Sequence, residues 1–130
     1  MNSANFEDLS RREREVMYFV HANEEVTANM LYESMEPPMT YSGARRCLAI
    51  LEEKGFLAKR VDGKRYVYQP VASSTEVGLD LIKKAFGSFF KGSPTLGIAT
   101  FLRREGASLD ADELETLEAL LRNMPQDDTD

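Results

Sequence analysis

The sequence has very few of the residues on which catalytic and metal sites depend. Its 130 residues include one cysteine, one histidine and no tryptophan. A single cysteine forms no internal disulfide, and His21 completes no Ser-His-Asp or Cys-His set and no metal-ligand spacing. A glycine-rich phosphate loop is also missing. We therefore expect no enzyme activity, no metal and no cofactor, with Cys47 a buried thiol and His21 a cation near the end of a helix.

Long apolar stretches are missing too. No stretch approaches the ~20 apolar residues of a membrane span, and residues 1–8 lack the apolar run of a signal peptide. The missing apolar stretches predict a cytoplasmic protein. The length of 130 residues predicts one domain, or a small domain with an appendage. The net charge of −6 argues against a non-specific polyanion binder. It leaves room for a specific DNA binder, because the charges are unevenly distributed.

Positive charge is concentrated between Thr40 and Tyr68, a stretch that contains seven Lys or Arg residues and only three acidic residues. Thr40 can cap a helix that Gly55 can end in the left-handed conformation. On this third helix of the chain, apolar positions share one face, whereas Arg45 and Arg46 lie on the other.

A β-hairpin is predicted directly after Gly55, because Asp62-Gly63 separates two β-prone runs. A loop of these two residues would place Arg60 opposite Arg65. Like charges across a hairpin cost roughly 0.2–1 kcal/mol, so this arrangement favours a hairpin that lies along a phosphate backbone.

The order of the elements predicts a winged helix-turn-helix over residues 1–72. A capping box at Ser10 and Glu13 opens the first helix, and Thr27 caps the second. A proline-bearing turn, the basic helix and the hairpin follow. We therefore predict a mainly α fold with a small β-hairpin, followed by a helical region.

Residues 73–130 are predicted to form a helical dimerisation region with an acidic tail at Asp127, Asp128 and Asp130. Its three amphipathic helices carry more apolar side chains than one stripe on each could bury. The candidate dimerisation residues are Leu81, Phe86, Phe89, Phe90, Phe101, Leu102, Leu114, Leu117 and Leu121.

The candidate DNA contacts lie on the basic helix and the wing. Hydroxyls near the helix start suit phosphate, an arginine can read guanine, and wing cations can contact phosphates. The predicted residues are Thr40, Tyr41, Ser42, Arg45, Arg46, Arg60, Lys64 and Arg65, with Lys59 as a further candidate. Which of Arg45 and Arg46 reads a base stays open, and Tyr41 has a core role as its alternative. Tyr66 and Tyr68 are expected to pack the sheet.

Two other functions are open at this point. One is an adaptor whose winged helix binds an acidic protein instead of DNA; it predicts weak salt dependence. The other is a repressor with a small-molecule pocket lined by Phe86, Phe89, Phe90 and Phe101.

Nearly the whole chain resembles the penicillinase-repressor family, the BlaI/MecI/CopY-type transcriptional regulators. The matching motifs are Leu9-Ser10-x-x-Glu13-x-x-Val16-Met17, Thr40-Tyr41-Ser42-x-x-Arg45, Leu51-Glu52-Glu53-Lys54-Gly55, Tyr66-x-Tyr68-x-Pro70, Phe89-Phe90-x-Gly92-Ser93 and Leu109-x-x-Asp112-Glu113-Leu114.

The resemblance implies a homodimer that represses transcription from a dyad-symmetric DNA operator. It also implies relief of repression when a membrane-bound metallopeptidase sensor triggers cleavage between the fourth and sixth helices. The best-known relatives are cut at an Asn-Phe pair, and the aligned pair here is Thr100-Phe101. The copper-responsive branch carries paired Cys-x-Cys motifs, so copper sensing is not expected of this chain.

Overall fold

The computed structural model describes residues 4–125, so the predicted acidic tail lies outside the described residues. The chain divides into two compact units, residues 1–80 and 81–130. Within the described range there are two short 3-10 helices, Phe6–Asp8 and Gly106–Ser108, and eight longer elements. These are α1 (Arg11–Asn23), α2 (Ala28–Ser34), α3 (Tyr41–Glu53), β1 (Leu57–Asp62), β2 (Arg65–Pro70), α4 (Ser74–Phe89), α5 (Pro94–Glu105) and α6 (Ala111–Asn123).

The fold is mainly helical with one antiparallel hairpin, and its first unit is a winged helix. Its core is built from the inner faces of α1, α2 and α3 and from the base of the hairpin. Eight side chains in this unit are less than 2% exposed: Val16, Met17, Val20, Val26, Leu31, Ala44, Leu48 and Leu51. The helix face predicted to be apolar in α3 is therefore the buried face.

The predicted helix ends of α1 and α3 are confirmed. The Ser10 hydroxyl accepts a hydrogen bond from the Glu13 amide at 3.1 Å, and the Glu13 carboxylate accepts one from the Ser10 amide at 2.9 Å. After the C-terminal end of α3, Gly55 has φ +91°. The Phe56 amide donates to the Leu51 carbonyl and the Gly55 amide to the Glu52 carbonyl, which is the Schellman arrangement.

The predicted hairpin exists, but its loop lies one residue further along the chain than predicted, so each cross-strand partner differs from the prediction by two residues. Asp62 pairs with Arg65, so the two-residue loop is Gly63-Lys64 instead of Asp62-Gly63. Arg60 consequently faces Val67, and no arginine faces another across the hairpin. Gly63 has φ +68° at the first loop position, where a type II′ turn needs glycine. An opposite-charge pair, Asp62 and Arg65 at 3.2 Å, replaces the predicted repulsion.

A third segment extends the sheet. Val26, between α1 and α2, forms an antiparallel bridge with Tyr68 through two backbone hydrogen bonds of 2.9 and 2.8 Å. β2 is therefore the central strand, with β1 on one side and Val26 on the other. This bridge fixes the base of the wing to the helical core.

The second unit has almost no buried interior of its own. Among residues 81–125 only Gly97 is buried. Gly97 lies in α5 beneath the ring of Phe86 from α4 and that of Phe90, which directly follows α4, and a Cβ at this position would lie 2.5 Å from the Phe86 ring. The two rings meet edge to face, with centroids 6.5 Å apart. This contact between α4 and α5 needs a residue without a side chain at position 97.

The sequence-based domain boundary after residue 72 stays a prediction. The structure divides the chain at Asp80, inside α4. The first turn of α4 belongs with the winged helix, because the Ser74 hydroxyl and His21 Nδ1 are hydrogen-bonded at 2.8 Å.

Candidate nucleic-acid interface

The outer face of α3 carries a cationic pair that no acid between residues 4 and 125 neutralises. Arg45 and Arg46 are both exposed, and neither has a hydrogen bond or ion pair among residues 4–125. Thr40 and Ser42 are also exposed, at the start of the helix. The Thr40 hydroxyl accepts a hydrogen bond from the Gly43 amide at 2.9 Å, so its first role is to cap the helix.

Tyr41 is not a core residue. Its side chain is 48% exposed, and its ring meets Tyr32 of α2 edge to face at a centroid distance of 6.2 Å. The pair therefore lies on the surface where α2 and α3 meet, and both hydroxyls are available to a ligand of this surface.

The cations of the wing, in contrast, are matched by acids. Arg60 pairs with Glu25 at 3.2 Å, Arg65 with Asp62 at 3.2 Å, and Lys59 with Glu52 of α3 at 3.4 Å. At the end of α3, Lys54 pairs with Glu13 at 2.9 Å. Lys64 in the hairpin loop is exposed and has no such partner in the described part of the chain.

Arg60 and Arg65, two of the predicted wing contacts, lie on one face of the hairpin. Strand alternation places Arg60 and Arg65 with Val67 on one face, and Lys59 with Tyr66 and Tyr68 on the other. Tyr68 is buried, and burial raises the pKa of its phenol. Tyr66 is 47% exposed, and the Lys59 ammonium lies 4.3 Å from its ring centroid. The sheet-packing role is thus confirmed for Tyr68, whereas Tyr66 packs under a cation at the surface.

The sequence analysis missed Glu25 as part of this surface. It lies in the connection between α1 and α2, 35 residues before Arg60. A pair so distant in sequence leaves no local pattern, and only the bridge between Val26 and Tyr68 brings the two side chains together.

A model of the penicillinase repressor family matches residues 9–123. The chain belongs to this family. It is also similar to the methicillin resistance regulatory proteins MecI of Mammaliicoccus sciuri, Staphylococcus aureus and Staphylococcus epidermidis. In each comparison the identity is 24% over 116 residues, which cover 88% of this chain and 93% of the relative. Membership of the penicillinase repressor family supports a DNA-binding transcriptional repressor, and such repressors are generally not enzymes.

The second unit presents the apolar residues predicted for dimerisation. Phe89 is 81% exposed and Leu121 70%. Phe101, Leu114 and Leu117 are also exposed, whereas Leu81, Phe86, Phe90 and Leu102 are half-buried. Large exposed apolar patches are uncommon on monomeric soluble proteins.

The four phenylalanines proposed for a small-molecule pocket do not converge. Phe86 and Phe90 pack on Gly97, whereas Phe89 and Phe101 are largely exposed. The geometry therefore does not favour a ligand pocket between them.

The pair aligned with the cleavage site of relatives lies within α5. The Thr100 hydroxyl donates a hydrogen bond to the Leu96 carbonyl at 2.7 Å, and Phe101 is 53% exposed. A peptidase needs an extended backbone at the bond it cuts, so cleavage here requires local opening of this helix.

His21 differs from its sequence-based assignment. Partial burial lowers the pKa of its imidazole. Nδ1 is hydrogen-bonded to the Ser74 hydroxyl at 2.8 Å, whereas Nε2 is buried with no partner in the described part of the protein. The neutral ring is the favoured form, and the prediction of a cation near the helix end is wrong.

Cys47 is partly buried on the inner side of α3, and burial raises the pKa of its thiol to about 11. The thiolate, which is the reactive form, is therefore a minor species near neutral pH. Between residues 4 and 125, no group of three or more His, Cys, Asp or Glu side chains is placed to hold a metal ion. The same part of the chain has no helix that is long and apolar enough to span a membrane.

Proposed function

We propose that this protein is a homodimeric repressor that binds a dyad-symmetric DNA operator, with α3 in the major groove and the wing along the phosphate backbone. The single observation that carries the proposal is the pair Arg45 and Arg46. Both are exposed and without an acid partner in the described range, in a chain of net charge −6. An unpaired arginine can donate two hydrogen bonds to guanine O6 and N7, so the pair suits base readout.

The remaining contacts follow from the placement of the side chains. Tyr41, Ser42 and the hydroxyl proton of Thr40 are proposed to contact phosphate at the start of α3. Lys64 and Arg65 are proposed to contact phosphate from the wing, and Arg65 would exchange Asp62 for a phosphate oxygen. Arg60, the third predicted wing contact, is held by Glu25 instead.

Dimerisation through the second unit is supported by its lack of an interior. Because Gly97 is the only buried residue between positions 81 and 125, this unit gains little stability from its own packing. A second copy that covers the exposed Phe89 and Leu121 would supply the missing burial, and twofold symmetry would match a palindromic operator.

Relief of repression by a membrane metallopeptidase sensor stays a proposal that rests on family membership. The Thr100-Phe101 bond is the candidate cleavage point, and it is cut only when α5 opens locally. Incubation with the activated sensor should yield two fragments that divide between these residues.

The internal pairing of the wing cations weakens the case for phosphate contacts by the wing, and the alternative function is a winged-helix adaptor. Arg60, Arg65 and Lys59 each have an acid partner, so the wing is less cationic than its sequence indicates. An adaptor would bind an acidic protein and show little dependence on salt.

Selection from a pool of random duplex DNA, repeated at two salt concentrations, tests the proposal. A dimeric repressor is expected to enrich an inverted repeat, and its log affinity should fall by about 0.9 per neutralised phosphate for each unit of log salt. No enrichment, together with salt-independent behaviour, would move the assignment to the adaptor.

A further inference from the structure

Among the described ion pairs of the wing, the one between Glu25 and Arg60 has two hydrogen bonds. Arg60 Nη1 donates to Glu25 Oε2 and Nη2 donates to Oε1, both at 3.2 Å. Two parallel hydrogen bonds fix the plane of the guanidinium as well as its distance from the carboxylate. By contrast, Arg65 makes one hydrogen bond to Asp62, three residues away in the same hairpin.

The Glu25–Arg60 pair crosses the central strand of the sheet. Arg60 lies on β1 opposite Val67 of β2, and Glu25 precedes Val26, which pairs with Tyr68 on the other side of β2. The Arg60 side chain therefore extends over β2 near Val67, which is buried. The outer strand of the wing is thus tied to the connection between α1 and α2.

Glu25 is a fixed anchor and not a freely moving surface acid. Val26 is fully buried and makes two backbone hydrogen bonds to Tyr68. On the other side, Glu24 adopts φ +68°, an uncommon conformation for a residue with a side chain. The Glu25 amide donates to the Asn23 carbonyl at 2.7 Å. The backbone around Glu25 is therefore held on both sides.

We infer that Glu25 and Arg60 are positioning residues that set the angle of the wing relative to the helices, and that Arg60 makes no phosphate contact. The inference deepens the proposed DNA-binding function and rests on it. In the free winged helix, the bidentate pair orients β1, so that Lys64 and Arg65 meet the phosphate backbone without a prior rearrangement. Preorganisation of this kind lowers the entropic cost of binding.

The effect of Glu25→Gln on DNA affinity distinguishes a positioning role of Glu25 from a simple effect of its negative charge. Loss of a negative charge near the interface would by itself strengthen DNA binding. Loss of an orienting contact has the opposite effect. We expect Glu25→Gln to weaken operator binding by about three- to tenfold, because a dimer carries two wings and exposed pairs are individually weak. The dependence on salt should not change, since no phosphate contact is lost.

Operator titrations over a range of salt concentrations test the inference. The variants are Glu25→Gln, Arg60→Ala, the double variant, and the charge reversal Glu25→Arg with Arg60→Glu. Glu24→Gln is the matched control, since it removes the same charge from the neighbouring residue. Arg65→Ala is the reference for a phosphate contact, with a salt slope flatter by about 0.9 per site.

We expect the two single variants and the double variant to lose the same affinity at an unchanged slope, because all three remove one interaction. The charge reversal should recover most of the loss, and Glu24→Gln should bind at least as tightly as the wild type. Tighter binding by Glu25→Gln, or an Arg60→Ala slope as flat as that of Arg65→Ala, would overturn the inference while leaving operator binding intact. A wild-type protein without operator binding would instead overturn both this inference and the proposed function.

Discussion

Arg45 and Arg46, like Lys64, are held by no acid in the described range, whereas Lys59, Arg60 and Arg65 each have an acid partner. We expect replacement of Arg45 and Arg46 by alanine to separate base readout from phosphate contact. The variant that removes a bidentate guanine contact should lose about 1–3 kcal/mol on the operator and little on unrelated DNA. The variant that removes a phosphate contact should weaken binding to all sequences and flatten the salt slope by about 0.9 per site.

The affinities of Arg45→Ala and Arg46→Ala for the operator and for a scrambled duplex are measured by titration. Lys64→Ala serves as the control for a contact at the tip of the wing. Equal losses on both duplexes for Arg45→Ala and Arg46→Ala would exclude base readout by either residue.

His21 makes the stability of the fold depend on pH. Its pKa is lowered by burial from the ordinary value of 6.5, so the unfolded chain takes up a proton at a higher pH than the folded chain. Stability should therefore be full above about pH 7 and fall as the pH drops through 6.5 toward the lowered folded pKa.

Urea unfolding at pH 7.5 and pH 5.5, at one protein concentration, measures this effect. In His21→Gln the difference between the two pH values should be smaller than in the wild type, because the titrating group is gone. An equal difference in both proteins would show that His21 does not contribute. The Glu13 carboxyl has its pKa lowered by its hydrogen bonds to Ser10 and Lys54, and its contribution is lost only below about pH 4.5.

At the scale of elements, the packing of α4 on α5 depends on Gly97. Alanine at this position gains up to about 1 kcal/mol of helix propensity, but overpacking costs about 1–3 kcal/mol. The Phe86 ring lies 2.5 Å from the added Cβ, so overpacking should prevail. We expect Gly97→Ala to lower the unfolding free energy by about 1–2 kcal/mol.

Gly78→Ala is the matched control, since its added Cβ meets no atom within 4 Å. That variant should be stabilised by about 0.5–1 kcal/mol, because alanine restricts the unfolded chain more than glycine does. Thermal denaturation of both proteins gives the comparison. A Gly97→Ala protein as stable as Gly78→Ala would mean that α4 and α5 separate more easily than the contact indicates.

Among the elements, the helix caps could be predicted from the sequence alone, whereas the hairpin register could not. Capping pairs such as Ser10 with Glu13 and Asp110 with Glu113 act over three residues, and both exist as the sequence indicates. The hairpin register was misread because the sequence contains both Asp62-Gly63 and Gly63-Lys64 as possible loops. The loop at Gly63-Lys64 puts glycine, with φ +68°, at the first loop position and lets Asp62 pair with Arg65, whereas the other loop would set Arg60 opposite Arg65.

For the whole molecule, the exposed apolar surface of the second unit predicts a dimer. Replacement of Phe89 or Leu121 by aspartate should weaken self-association. Each buried apolar side chain contributes about 1.5–3 kcal/mol and occurs twice in a symmetric dimer, so the dimer should weaken by more than about 100-fold. Sedimentation velocity over a range of protein concentrations measures this change.

Val71→Asp is the control at this scale, because Val71 is 62% exposed but belongs to the first unit. It should leave the dimerisation constant unchanged. Monomeric behaviour of the wild type at every concentration, or identical constants for Phe89→Asp and Val71→Asp, would contradict dimerisation through the second unit.

Local interactions along the chain determined the helix starts and stops, the glycine at the end of α3, the presence of a hairpin and the two faces of α3. Each depends on residues within about one turn or one loop, so the sequence alone specifies it. The tertiary structure decided which cations are paired, because Glu25 and Arg60 meet only through the bridge of Val26 to β2. It also decided the protonation of His21, since burial beside Ser74 cannot be inferred from neighbours in sequence.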